Sequence, residues 1–266
     1  MHRILTICGD PGGAAAIAPV IRLLNTKEGI ELINVAYHKA SAVLETNRIA
    51  HVQADSGWTS DAVTSLFEKT QPDALLSATS CNDQNLEHLF LREARNRNIY
   101  SLAVLDFWSN YKQRFEFDGD KYYFPDEIAV MDDFAKQEMI EEGFAGDSLI
   151  VTGQPALDSL QESRLTDTAA KRSSWCRQLG IDSSSMVVGF ISQPSVGEYL
   201  ASSEQEFSKH TILPLLVKSL VTLSKKYSEI ITLVIRPHPR ESEDSFSWIK
   251  ETEGVRTLVD REATGR

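Results

Sequence analysis

Short apolar runs alternate with longer amphipathic segments along the first half of this chain. The runs contain β-branched and other apolar side chains without helical spacing, which predicts strands at residues 4–8, 32–37, 51–54, 74–78, 101–105, 127–131 and 148–152. Apolar positions three and four residues apart predict helices at residues 14–24, 40–48, 60–69, 85–97 and 134–142. Strands that alternate with helices of this length predict βαβ units and a parallel sheet.

A polar, unpatterned stretch at residues 161–168 interrupts the alternation. Such stretches are typical of boundaries between domains. The alternation then begins again, with buried strands predicted at residues 186–191 and 230–235, a further strand at residues 255–259, and helices at residues 169–179, 204–226 and 245–251. We therefore predict an α/β fold with two Rossmann-like domains, residues 1–160 and residues 161–266.

The composition is that of an ordinary globular protein, with 42% hydrophobic and 24% charged residues in 266. A net charge of −11 argues against nonspecific binding to nucleic acid or to anionic membranes. The first apolar run is too short for a signal peptide, and no run reaches the roughly 20 residues that span a bilayer. We expect a cytoplasmic protein without an integral membrane segment.

The three cysteines, Cys8, Cys81 and Cys176, are widely spaced and do not form metal-ligand pairs. This pattern is typical of a reducing compartment, where thiols behave as small apolar side chains. Histidine, cysteine and carboxylate residues do not cluster at metal-ligand spacing elsewhere in the sequence. We predict no metal and no cofactor.

A predicted strand at residues 230–235 runs directly into the sequence Arg-Pro-His-Pro-Arg-Glu-Ser. Proline cannot donate to a sheet ladder, so the strand must end there. Arg236, His238 and Arg240 then lie at the carboxyl end of a strand, where α/β proteins hold anions. We interpret this loop as a candidate phosphate site; the alternative is a polar cap with a structural role.

The turn Gly-Asp-Pro-Gly-Gly at residues 9–13 joins the first strand to the first helix. Gly12 and Gly13 would let a ligand approach the helix amino terminus, where N–H groups favour anions. The spacing is not G-x-G-x-x-G, and a plain tight turn explains the glycines equally well. Asp10 in this turn and Asp106 after a later strand are both candidate general bases.

An aromatic-rich segment at residues 107–124 breaks the alternation and includes Lys112 and Arg114. Aromatic faces near cations suit sugar rings or bases, although a connection that packs its own aromatics is the slightly favoured alternative. Asp132 and Asp133 resemble a catalytic acidic pair, but they precede a predicted helix. Helix capping explains them more simply.

Five short motifs occur in a characteristic order: Gly-Asp-Pro-Gly-Gly-Ala (9–14) with Pro-Val (19–20), Pro-Asp-Glu-Ile (125–128), Val-Thr-Gly-Gln-Pro-Ala-Leu-Asp (151–158), Gly-Phe-Ile-Ser-Gln-Pro (189–194) and Arg-Pro-His-Pro-Arg-Glu (236–241). In this order they resemble the GT-B glycosyltransferase and UDP-N-acetylglucosamine 2-epimerase superfamily. The His-Pro pair after a strand is most similar to that of bacterial capsule and polyol-phosphate type transferases.

The resemblance implies two Rossmann-like domains, the second holding a nucleotide-diphosphate donor and the first an acceptor. It implies phosphate contact by His238, to which charge and position add Arg236 and Arg240. The loop after the preceding strand would offer further hydrogen bonds, from Ser192, Gln193 and Ser195. The nucleotide-activated molecule would be a substrate and not a cofactor.

The epimerase branch characteristically carries a His-Arg-x-Glu-Asn type loop where this chain has Ser-Gln-Pro-Ser at residues 192–195. The resemblance therefore favours a transferase that uses a nucleotide-activated sugar or polyol phosphate in surface-glycan synthesis. A UDP-sugar 2-epimerase or hydrolase, and a nucleotide-sugar-binding module without catalysis, are the alternatives. The base, the sugar and the glycan acceptor stay open.

Three strands are recognisable in the second domain, whereas relatives continue with further strands and a nucleotide-gripping loop. We therefore expect this domain to be incomplete. A three-stranded sheet would expose an apolar edge, which favours a homodimer.

Overall fold

The computed structural model describes residues 1–55, 57–81, 84–118, 121–158, 168–192, 209–238 and 241–260. The chain forms two compact units, Met1–Leu165 and Thr166–Arg266. Each unit contains a parallel sheet with helices between its strands. The predicted fold class, α/β with Rossmann-like domains, is therefore confirmed.

In the part of the first unit that the structure describes there are nine strands. In chain order they are β1 (His2–Cys8), β2 (Ile30–Ala36), β3 (Val52–Gln53), β4 (Ala74–Ala78), β5 (Tyr100–Val104), β6 (Glu116–Asp118), β7 (Lys121–Tyr122), β8 (Glu127–Val130) and β9 (Leu149–Val151). Seven form a parallel sheet in the order β3-β2-β1-β4-β5-β8-β9, and β6 pairs with β7 as a separate antiparallel hairpin.

Among the described residues, the strands are connected by the helices α1 (Pro11–Asn25), α2 (Ala40–Thr46), α3 (Ser60–Thr70), α4 (Glu87–Asn96) and α5 (Asp133–Glu141). Helices pack on both faces of the sheet, so its central strands are buried on both sides. In β1 the neighbouring residues Ile7 and Cys8 are both fully buried, in separate apolar clusters. Alternate side chains of a strand point to opposite faces, which explains this division.

The strand order creates a topological switch point between β1 and β4. From β1 the chain moves outward through β2 to β3, then returns to place β4 on the other side of β1. The connections after β1 and β4 therefore leave the sheet in opposite directions, and a crevice opens between their carboxyl ends. Open α/β sheets bind ligands at this position.

The second unit contains β10 (Met186–Ile191), β11 (Ile231–Arg236) and β12 (Val255–Val259), which form a parallel sheet in that order. Helices α6 (Thr168–Gln178) and α7 (Lys209–Tyr227) belong to the same unit. In the central strand β11, every residue before Arg236 is buried. The prediction that β10 is a buried strand was wrong, because β10 lies at the edge of the described sheet and is partly exposed.

The helix predicted at residues 245–251 is also absent. A short 3-10 helix, Glu243–Phe246, stands there instead. Ser247 donates its hydroxyl to the Asp244 carbonyl, and Trp248 donates its indole N–H to the Ser245 carbonyl. Side chains that bond to nearby carbonyls compete with an α-helix, which explains the difference. In the part of the chain that the structure describes, no helix is long and apolar enough to cross a membrane.

Candidate functional site

The two candidate bases of the first unit lie at the same edge of its sheet. Asp10 follows β1, and Asp106 follows β5. Residues 79–81 follow β4, which lies between these two strands. The carboxyl ends of three neighbouring parallel strands thus bring both aspartates to the crevice at the switch point.

Asp10 is held by the end of β4 through two hydrogen bonds. Its backbone N–H donates to Ser80 Oγ at 3.1 Å. Its carboxylate Oδ2 accepts the backbone N–H of Cys81 at 2.8 Å. Asp10 is also the N-cap residue of α1, but its side chain makes no capping hydrogen bond. The carboxylate therefore faces β4 across the switch point instead of its own helix.

Asp106 belongs to a buried ion pair. Its Oδ1 lies 2.5 Å from Arg114 Nη1 and accepts the Thr79 hydroxyl at 3.2 Å. Arg114 also donates from Nη1 to Thr79 Oγ1 at 3.1 Å and from Nε to the Ser109 carbonyl at 3.0 Å. Gln154 donates to the Asp106 carbonyl at 2.7 Å. The negative charge of Asp106 is therefore offset within the fold.

Gly12 and Gly13 allow α1 to approach this site closely. A Cβ on Gly12 would overlap the Asp106 carboxylate. A Cβ on Gly13 would lie 2.8 Å from the Thr79 carbonyl oxygen and 2.9 Å from Ala78 Cβ. Close packing between the helix and the sheet thus accounts for both glycines. Contact with a phosphate stays a prediction for them.

A third carboxylate, Glu87, lies beneath the crevice and was not predicted from the sequence. Glu87 is 1% exposed. One of its carboxylate oxygens accepts the Ser80 hydroxyl at 2.5 Å, and the other accepts the Tyr37 hydroxyl. Burial raises the pKa of Glu87 to about 7, although these two hydrogen bonds act to lower it. Its spacing offered a signal: Glu87 is in helical register with the buried residues Phe90 and Ala94.

The aromatic-rich segment divides into a buried and an exposed part. Tyr111 and Phe115 are buried in the core. Phe107 is 56% exposed and Trp108 is 37% exposed. The Trp108 indole N–H donates to Oδ2 of Asp132 at 2.9 Å, while Oδ1 accepts the Ala135 N–H and caps α5. The capping interpretation of Asp132 is confirmed.

In the second unit, Arg236, Ser192 and Asp260 meet at one edge of the sheet. Arg236 Nη2 lies 3.1 Å from Asp260 Oδ2, at the end of β12. The Ser192 N–H, at the end of β10, donates to the Arg236 carbonyl at 2.9 Å. The Arg236 side chain is 48% exposed, so a ligand can reach a guanidinium whose direction Asp260 fixes.

Glu241 fixes the loop that carries His238. Its Oε2 accepts the His238 backbone N–H at 2.9 Å, and its Oε1 lies 2.8 Å from Lys209 Nζ. Burial acts to raise the pKa of Glu241, but the hydrogen bonds from Lys209 and the His238 N–H hold it below its ordinary value. Glu241 is therefore ionised at neutral pH. The sequence did not predict its pairing with Lys209.

Of the predicted phosphate-binding residues in this unit, the structure describes Ser192, Arg236 and His238, all at the carboxyl ends of β10 and β11. Gln193, Ser195 and Arg240 lie outside the described residues.

No protein-family model matches the chain, and no curated protein sequence matches it. Solved structures do match. A UDP-GlcNAc 2-epimerase from Neisseria meningitidis, bound to UDP-GlcNAc, is 17% identical, with a TM-score of 0.62 over 98% of this chain and 73% of its own. MnaA from S. aureus, in complex with UDP, is 15% identical, with a TM-score of 0.62 over 99% of this chain and 70% of its own.

The UDP-GlcNAc 2-epimerase from Methanocaldococcus jannaschii, in complex with UDP-GlcNAc and UDP, is 12% identical, with a TM-score of 0.59 over 97% of this chain and 73% of its own. At these identities the likeness establishes a shared fold. The fold that the resemblance implies is thus confirmed, while the superfamily itself and the likeness to capsule and polyol-phosphate transferases stay predictions.

Proposed function

We propose that this chain acts on a nucleotide-activated sugar, as a GT-B-like transferase of surface-glycan synthesis. The observation that carries the proposal is the position of Asp10, a carboxylate fixed at the switch point of the first unit. The nucleotide of the donor is a uridine diphosphate, by analogy with the UDP and UDP-GlcNAc bound in solved structures of the same fold.

Asp10 is the better candidate for the general base. A transferase base must accept a proton from an acceptor hydroxyl. Asp106 is engaged by the buried guanidinium of Arg114. Asp10 is oriented at the switch point by the backbone N–H of Cys81, which fixes the direction of its carboxylate.

The second unit, taken by itself, carries positive groups that suit a leaving phosphate. Negative charge grows on the nucleotide diphosphate as the bond to the sugar breaks, and positioned donors stabilise it. Arg236 extends from the end of β11, and its ion pair with Asp260 orients its side chain. His238 follows in a loop that Glu241 and Lys209 fix. We assign phosphate contact to Arg236 and His238.

A specific observation favours a second candidate, a UDP-GlcNAc 2-epimerase or hydrolase. The solved structures with the same fold include UDP-GlcNAc 2-epimerases with this nucleotide sugar bound. The two candidates differ in their need for an acceptor. Incubation with UDP-GlcNAc alone separates them, because release of UDP or formation of the 2-epimer without an acceptor selects the second candidate.

Calorimetric titration tests the donor site. UDP, UDP-GlcNAc, CDP, CMP and GDP are titrated into the wild-type chain and into His238→Ala. His210→Ala is the matched control. His210 lies on α7 in the same unit, and its ring packs against that of Trp248. We expect selective binding of the uridine nucleotides, about tenfold weaker or more in His238→Ala and unchanged in the control. Absence of binding by all five nucleotides would overturn the proposal.

Turnover tests the base. Asp10→Asn removes the proton acceptor, so we expect transfer to slow by about 100-fold or more while UDP binding persists. Tight UDP binding by the wild-type chain without turnover on any acceptor would instead support a nucleotide-sugar-binding module.

A further inference from the structure

Glu87 is a buried carboxylate that the proposed reaction does not use directly. It occupies the apolar face of α4, in register with Phe90 and Ala94. Burial of an ionised carboxylate is unfavourable, and an apolar residue of similar size would stabilise such a position better. Departures of this kind are expected where function requires them. Its hydrogen bonds indicate what it does.

The two hydroxyls that contact Glu87 have a defined direction. Ser80 Oγ accepts the Asp10 N–H at 3.1 Å and donates its own hydrogen to Glu87 Oε1 at 2.5 Å. The Tyr37 hydroxyl accepts the Leu86 N–H at 3.1 Å and donates to Glu87 Oε2. An ionised Glu87 accepts both hydrogens. A protonated Glu87 carries a hydrogen of its own on one oxygen, which weakens or reverses the contact that this oxygen accepts.

One of these contacts reaches the candidate base. Ser80 is bonded to the backbone of Asp10, and the next residue, Cys81, is bonded to the Asp10 carboxylate. Ser80 and Cys81 therefore set both the position and the direction of that carboxylate. The Tyr37 hydroxyl is bonded to the Leu86 N–H, immediately before α4, and the Tyr37 ring packs against Gly9.

We propose that Glu87 is a positioning residue, which acts through Ser80 to hold Asp10 at the crevice in the orientation that proton transfer requires. The role of Asp10 as base rests on the proposed function. The connection from Glu87 through Ser80 to Asp10 does not rest on the proposed function, and it can be tested even if the chain has no catalytic activity.

The surrounding groups make Glu87 the member of this cluster that changes charge near neutral pH. Burial and the negative charge of Glu87 both raise the pKa of the Cys8 and Cys81 thiols, so they stay protonated. Asp10 acts on Glu87 by charge repulsion, and the Asp106–Arg114 pair lies beyond Cys81. The pKa of Glu87 is about 7, so the Ser80 contact should respond to pH in that region.

NMR of the full chain tests the connection. The amide signals of Asp10 and Cys81, and their hydrogen exchange, are followed between about pH 6 and 8, where Glu87 titrates. The variants are Ser80→Ala and Glu87→Gln. Tyr37→Phe is the matched control, because it also removes one hydroxyl donor from Glu87 but leaves the contact that leads to Asp10.

In the wild type we expect both amide signals to shift with pH in this window. In Ser80→Ala and Glu87→Gln the pH-dependent shift of these signals should disappear. In Ser80→Ala the Asp10 amide should also exchange about tenfold faster, because it loses one hydrogen bond. In Tyr37→Phe the pH-dependent shift should remain. The proposal is overturned if Ser80→Ala keeps the wild-type shift, or if Tyr37→Phe abolishes it as Ser80→Ala does.

Activity gives an independent reading if the proposed function holds. Ser80→Ala should then lower kcat more than it raises KM for the donor. If neither variant nor wild type turns over a nucleotide sugar, the proposed function fails while the NMR result still decides the role of Glu87.

Discussion

The backbone N–H of Cys81 donates to the carboxylate of Asp10 at 2.8 Å, across the switch point of the first unit. The two residues follow β4 and β1, strands that are far apart in the chain and adjacent in the sheet. A carboxylate held by a main-chain N–H cannot rotate independently of the strand behind it. The orientation of Asp10 is therefore a property of the sheet, which is how a fixed catalytic group gains its precision.

Loss of Arg114 should strongly destabilise the first unit. The Arg114→Met variant leaves the Asp106 carboxylate in a buried position without its guanidinium, so we expect a loss of about 3–5 kcal/mol in the free energy of unfolding. Urea denaturation measures it. The control is Arg3→Met, which removes an exposed ion pair with Glu31 and should change stability by about 1 kcal/mol or less. Equal effects of the two variants would contradict the buried pair.

Replacement of Glu87 should change how stability depends on pH. The pKa of Glu87 is raised from 4.5 to about 7 on folding, so the folded protein binds the proton more tightly than the unfolded chain. Stability must therefore fall as pH rises through this interval, by about 3 kcal/mol once pH exceeds 7. In Glu87→Gln that slope should be absent. The free energy of unfolding of the variant should therefore rise relative to that of the wild type between pH 5 and pH 8.

Urea denaturation of both proteins at the two pH values measures this effect. Glu93→Gln is the control on the same helix, because Glu93 pairs with Arg97 at 2.7 Å. The free energy of unfolding of Glu93→Gln should not rise relative to that of the wild type at the higher pH. A wild-type slope in Glu87→Gln would mean that Glu87 does not titrate in this interval.

Alanine at Gly12 should be poorly tolerated. Its Cβ would overlap the Asp106 carboxylate, so either α1 or the Asp106–Arg114 pair must move, at a cost of about 1–3 kcal/mol. Gly189→Ala is the matched control, because a Cβ there meets open space on the edge strand β10. We expect the control to be neutral or slightly stabilising by urea denaturation. A neutral Gly12→Ala would contradict the close approach.

Neutralising Glu241 should weaken both the second unit and its ligand site. Its pKa is held below the ordinary value on folding, so its contribution to stability is present above about pH 4.5 and is lost as pH falls through the folded pKa. Glu241→Gln should therefore lose about 1–3 kcal/mol at pH 7 and less in acid. Calorimetry should also show weaker UDP binding, because the variant loosens His238. Unchanged stability and binding would show that the loop does not depend on this carboxylate.

The sequence predicted those features of the fold that depend on local pattern. The run before Arg236 becomes β11 because its residues are largely apolar and are buried on both faces. Asp132 caps α5 because a short carboxylate reaches the N–H of Ala135. The pattern could not predict that β10 lies at a sheet edge. Edge position is set by which strands pair, and residues 186–191 alone do not contain that information.

The candidate site was predictable only in part. Asp10 and Asp106 follow apolar runs, so their place at strand ends was visible in the sequence. The place of Glu87 in the site was not visible in the sequence, because its partners Tyr37 and Ser80 follow other strands. One polar residue on an apolar helix face is a weak signal in a sequence. The glycines at 12 and 13 suggested a ligand, whereas Asp106 and Thr79 come close to them only after folding.

The ladder of paired residues between β1 and β4 ends at Ile7 and Ser77. Beyond that point the two strand ends are joined by the contacts of Asp10 with Ser80 and Cys81. The contact between the two strand ends therefore depends on hydrogen bonds between a side chain and a backbone N–H, and not on the ladder between the strands. A single substitution at Ser80 can therefore remove a contact between the strand ends while the ladder of the sheet keeps its register.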